Sequence, residues 1–204
     1  MQYILDYIGA AILGSALLLI ILSATDTAAE SQSVYNGDAL VQEILVQTAF
    51  LLEGELRNMG VGVPEGEPTI LWADTSTIRF LYDINRDAVP DTVEYYTGTI
   101  GDFASTQNDL DRPLFRSVNN GAPLTVGSVT VFRFRYITQL GENLATPVSS
   151  TRLSEIHSVE ITMEVQNPYA VNRSAEQIAA GERTALYSSS LWQQTRLASQ
   201  NNRR

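Results

Sequence analysis

From Tyr7 to Thr25 the chain runs nineteen residues without a charge, and no Arg or Lys precedes Arg57. That run constrains the fold more than any other feature. As an α-helix it spans about 28 Å, close to the hydrocarbon thickness of a bilayer. Asp6 stands at one edge and Asp26 at the other. Neither flank carries a basic side chain, so the rule that places cations on the cytoplasmic side is silent here. A cleaved secretory signal is the competing reading. It calls for a positive n-region and a shorter apolar core, whereas the residues before Tyr7 hold Asp6 and no cation. The small residues of LSATDTA offer that reading a cleavage site.

The apolar pattern does not stop at Thr25. After the polar stretch TDTAAESQSVYNGD it resumes as a stripe: Leu40, Ile44, Leu45, Leu51, Leu52, Leu56 and Met59 recur at helical spacing. Gly60, Gly62 and Pro64 then end the helix, and Asn36-Gly37 marks a weak point in its middle. Residues 1–62 therefore read as one long helix, or two nearly collinear pieces, apolar all round at first and on one face later. Such a helix leaves a membrane and lies on its own globular head.

From residue 68 the period changes to two. PTILWAD, STIRFLYD, DTVEYYT, LTVGSVTVFRFRYIT, EIHSVEITMEVQ and ERTALYSSSLW read as strands. His157, Val159, Ile161, Met163 and Val165 alternate with polar neighbours, as expected of a sheet with one buried and one wet face. NPYAVNRSAEQIAAGE reads as a loop with room for a short helix, and LASQNNRR as a frayed tail. The expected fold is α+β: a helix over 1–62 packed on an antiparallel β-rich head over 63–198, followed by a tail at 199–204. Composition narrows the function. The net charge of −10 and the scatter of thirteen arginines, with no lysine, disfavour nucleic acid as a partner. The absence of cysteine excludes disulfides, thiolate metal sites and a cysteine nucleophile.

A long N-terminal helix, apolar then amphipathic, with an acid near its start, resembles that of type IV pilins and type II secretion pseudopilins. GELRNMGVGVP is similar to the helix end in larger minor pilins of the PilW kind and in J-type pseudopilins. STIRFLYDINRDAVPDTVEYYTG and PLFRSVNNGAPLTVGSVTVFRFRYI resemble the first strands of those heads. Family members usually carry a basic leader ending in Gly, then a stretch like FTLIE with Glu fifth. This sequence shows no such leader, holds Leu5 at the fifth place and has Asp6 as the nearest carboxylate. The resemblance implies a structural subunit of a pilus-like or secretion-like filament, held in the bacterial inner membrane before it joins other pilin-like subunits. It also implies that Asp6 pairs with an amine on a neighbour. A carboxylate within hydrocarbon is costly unless paired, and at the headgroups it would merely favour the helix N-terminus. Gly9 and Gly14 would let such helices approach closely.

One local constellation points to a ligand. In DINRDAVPDTVE, Asp83, Asn85, Asp87, Asp91 and Glu94 fall at places 1, 3, 5, 9 and 12 of the calcium-loop pattern. Ala88 stands where that pattern has Gly, and the flanks read as strands, so an acidic hairpin turn is the competing reading. Calcium is accordingly the one candidate cofactor, with Asp83, Asn85, Asp87 and Asp91 as its ligands. The only histidine, His157, lies on an apolar alternation and reads as a core or rim residue. Arg133 and Arg135 alternate with Phe132 and Phe134, which places them on an exposed face. No Ser/His/Asp set can be assembled, so no enzyme is expected. The alternative to a filament subunit is a membrane-anchored extracellular binding module.

Overall fold

The computed structural model describes residues 2–103, 108, 110–167, 171–172, 186–187 and 190–198. The tail and most of the 168–189 segment, including the place of the expected short helix, lie outside the described residues.

A single unbroken helix, α1 (Gln2–Arg57), opens the fold. It contains no proline, and in its polar middle the hydroxyls turn back onto carbonyls of the preceding turn without interrupting the helix. Thr25 Oγ1 donates to the Leu22 carbonyl at 2.8 Å, Thr27 Oγ1 to Ser23 at 2.9 Å, and Ser31 Oγ to Thr27 at 2.9 Å. Asn36-Gly37 is no break. The helix ends where expected, in turns built on Gly60 and Gly62, whose φ values of 84° and 75° suit glycine.

The eleven strands described after it form two sheets and a small pair. β1 (Ile70–Ala73), β2 (Thr77–Tyr82), β3 (Asp91–Thr97), β4 (Arg112–Val118) and β5 (Leu124–Val129) make a five-stranded antiparallel meander. β6 (Val131–Thr138), β7 (Asn143–Leu144), β8 (Ile156–Gln166) and β11 (Ser190–Ala198) make a second antiparallel sheet in the order β11-β8-β6-β7. β9 (Val171–Asn172) and β10 (Leu186–Tyr187) pair with each other.

LTVGSVTVFRFRYIT is therefore two strands rather than one. The chain leaves the first sheet after Val129, Thr130 N–H bonds to the Glu164 carbonyl at 2.9 Å, and β6 joins the second sheet. β8 keeps its alternation over Val159, Ile161, Met163 and Val165, all buried. It loses the alternation near His157, which is half-buried between the buried Ile156 and Ser158, opposite a bulge at Ile137/Thr138.

The helix packs across β5, β8 and β11. Its buried stripe is Val41, Leu45, Thr48, Ala49, Leu52, Glu55, Leu56 and Met59; Leu40, Ile44 and Leu51 flank that stripe. Phe80, Val93, Tyr95, Leu114, Phe134 and Tyr136 close the core from the sheets. The fold is thus α+β, a long helix laid on an antiparallel β head.

Candidate functional site

Among the described residues, the first half of α1 carries the longest run of exposed large apolar side chains. Ile12, Leu13, Leu17, Leu18, Leu19, Ile20 and Ile21 are all more than half exposed, and nothing in the head covers them. The segment Asp6–Ala29 is 24 residues long, its apolar stretch reaches a mean hydropathy of 2.3, and it is long and apolar enough to cross a membrane. Asp6 is exposed near its start. A Cβ on Gly9 or Gly14 would meet nothing within 4 Å, so both present bare backbone on the outside of the helix. Five residues at about 100° each put the two glycines roughly 140° apart, with Asp6 between them around the axis. They do not line one groove.

The helix changes character at Gly37. A Cβ there would lie 2.2 Å from the Asn167 side-chain amide, so this glycine lets the end of β8 reach the helix backbone. Asn167 Nδ2 donates to Asp38 Oδ1 at 3.0 Å. Further along, Thr48 Oγ1 donates to the Val126 carbonyl at 3.3 Å, and a Cβ on Gly127 would lie 2.6 Å from that oxygen. Thr195 Oγ1 donates to Glu53 Oε1 at 2.9 Å.

The strongest junction centres on Glu55, which is 9% exposed. Arg116 from β4 donates through Nη2 at 2.5 Å and through Nε at 3.0 and 3.1 Å. Tyr82 Oη donates to Oε1 at 2.8 Å, and Tyr95 Oη donates to Oε2. The Glu55 carboxylate leaves most of its water here because Arg116 and two tyrosine hydroxyls satisfy it. Burial, then the Glu55 carboxylate, pushes both tyrosines well above their ordinary value, so they stay protonated donors. The bonds to Glu55 likewise raise Arg116, which stays charged.

The DINRDAVPD loop is brought together as one turn. Asp83, 9% exposed, accepts from the backbone N–H groups of Arg86 at 2.6 Å, Asp87 at 3.2 Å and Ala88 at 2.9 Å. Arg86 and Ala88 have φ of 62° and 67°, which curls their amides around that carboxylate. Asn85 Nδ2 donates to Asp87 Oδ2 at 2.9 Å, and Val89 N–H to Asp87 Oδ1 at 2.8 Å. Asp91 accepts from Ile84 N–H at 3.1 Å and from Asn119 Nδ2 at 2.7 Å. The oxygens that the calcium pattern would draw on are thus acceptors for N–H groups, most of them the loop's own. Among the described residues, no three His, Asp or Glu side chains form a group that could hold a metal. Glu94 lies in β3 and pairs with Arg79 at 2.9 Å, away from the turn.

The Glu55 junction is what reading the sequence missed, and it left a signal. Glu55 is a charge at a stripe position between Leu52 and Leu56. Its partners on β2, β3 and β4 are 27 to 61 residues away and leave no local trace.

The class these features define is an α+β protein with one membrane-length helix built into its head. No family model, curated protein or solved structure matches the chain.

Proposed function

We propose that this chain is a structural subunit, a minor pilin or pseudopilin, of a pilus-like or secretion-like filament. Its carrying observation is the unbroken helix Gln2–Arg57, bare and apolar in its first half and fastened to the head in its second. A helix of this kind holds the subunit in a bacterial inner membrane, with the head on the outer side of that membrane. The same apolar surface then packs among neighbouring helices when the subunit leaves the bilayer, because burial among helices and burial in lipid satisfy the same side chains. In such a bundle Asp6 takes an opposite charge from a neighbouring subunit, which sets the axial register of the helices. The contribution is to assembly, and no substrate is turned over.

The deciding experiment is the mass of the N-terminal peptide, taken from the native host's membranes and from material sheared off its cells. A trimmed or methylated start present in the sheared fraction supports the filament reading. An intact Met1 found only in membranes overturns it and leaves the anchored binding module. A start beyond Ala24 makes the opening segment a signal peptide.

A further inference from the structure

Two exposed features of the head are electrically complementary. The first is the outer face of the β11-β8-β6-β7 sheet. Arg133 and Arg135 on β6 and Arg196 on β11 are all exposed. Pairing places Arg135 and Arg196 on either side of Glu160. Arg135 Nη1 holds that carboxylate at 3.0 Å, while Arg196 Nε turns to Ser158 Oγ at 3.1 Å. Arg133 stands opposite Thr162 and makes no ion pair among the described residues. Three arginines against Glu160 and Glu164 make this face cationic on a chain of net charge −10.

The second feature is a hollow of about 400 Å³ where the helix gives way to β1, lined by Gly60, Gly62, Glu65, Gly66, Glu67 and other residues of the same turn. Glu65 and Glu67 are exposed, and no basic residue occurs between Arg57 and Arg79. The turn is held in shape: Gly60 N–H donates to Leu81, Leu81 N–H to Thr69 and Asp83 N–H to Val61, each at 2.8 Å. Gly66 adds no side chain to the rim, where a Cβ would meet nothing within 4 Å, and Val61, Val63, Pro64 and Thr69 complete the wall. A planar guanidinium suits a hollow whose lining carries two carboxylates and no cation.

We propose that the hollow of one copy receives an arginine from the outer sheet face of the next, Arg133 entering and Arg196 flanking it. The occupant is a second copy of this chain because both halves of the contact are on it, and because copies this acidic repel at their other surfaces. Two different surfaces meet, so the contact is head-to-tail and generates an open array unless its rotation closes a ring. This inference rests on the filament reading and gives it a contact outside the membrane.

The test uses the full chain in detergent micelles, followed by sedimentation velocity over a range of concentrations at low and high salt. Wild type should self-associate, and less so in high salt. Glu65→Arg/Glu67→Arg and Arg133→Glu/Arg196→Glu should each raise the dissociation constant by about tenfold. A mixture of the two variants should recover association, because each supplies one native surface and the two reversed surfaces match. Wild-type association that neither variant changes, or that the mixture fails to recover, overturns this contact and leaves the filament reading standing. A wild type that stays monomeric throughout overturns this contact and also counts against the filament reading.

Discussion

Arg116 Nη2 lies 2.5 Å from Glu55 Oε1, which joins a strand of the meander to the last turns of a helix whose other end is membrane-length and apolar. The pair is the main polar fastening between the rod and the head. Removing one partner leaves the other buried without compensation. Glu55→Ala should destabilise the folded head by about 3 kcal/mol, measured by urea unfolding of the full chain in detergent. An effect within about 0.5 kcal/mol would mean that the junction is only decorative.

The close approach of Thr48 to Gly127 gives a second test. Gly127→Ala places a methyl 2.6 Å from Thr48 Oγ1 and should cost about 1–3 kcal/mol. Thr48→Ala in the same chain removes that oxygen, so the double variant should be more stable than the sum of the singles. Additive costs in a double-mutant cycle would refute the contact.

The junction also sets a response to alkali. Tyr82 and Tyr95 are raised above the ordinary tyrosine value near 10, so the folded state keeps protons that the unfolded chain releases. Stability from this source is complete below pH 10 and falls as pH rises beyond it. Wild type should lose stability between about pH 10 and 12, and Tyr95→Phe should lose less over that interval. Equal pH slopes for the two proteins would rule this out.

Asp6 can be separated from membrane anchoring. On the filament reading, Asp6→Leu should leave the chain in the membrane fraction, because it lengthens the apolar run, and remove it from material sheared off the native host's cells. Wild-type amounts in that sheared material would show that Asp6 has no part in assembly.

Much of the fold was legible because it depends on local periodicity. The uncharged run from Tyr7, the stripe through Leu52, Leu56 and Met59, and the alternation from Val159 to Val165 each carry their period within a few residues. The division of LTVGSVTVFRFRYIT was not legible. Thr130, where the chain changes sheets, is a good strand residue, and the change is made by a bond to Glu164 far along the chain. Gly37 was misleading for a related reason. Read locally, a glycine after Asn36 weakens a helix, whereas its use is to admit Asn167, a contact 130 residues distant. The Asp83–Asp91 spacing shows which oxygens share a loop and not which donors they face. At Asp83 the donors are brought round by the positive φ of Arg86 and Ala88, and at Asp91 one of them is Asn119 from a different turn.

The absence of a break at Gly37 has a mechanical consequence. A helix of 56 residues is a rod about 84 Å long. With no break between the apolar segment and the head, a push or twist applied at the apolar end is passed along one continuous helix to the head. The load then falls on the fastenings in series along the second half of the rod: Asn167 at Asp38, Thr48 at Val126, Thr195 at Glu53, and last the Glu55 cluster. The strongest grip lies farthest from the anchor, so the rod drives the head as a shaft keyed at its far end.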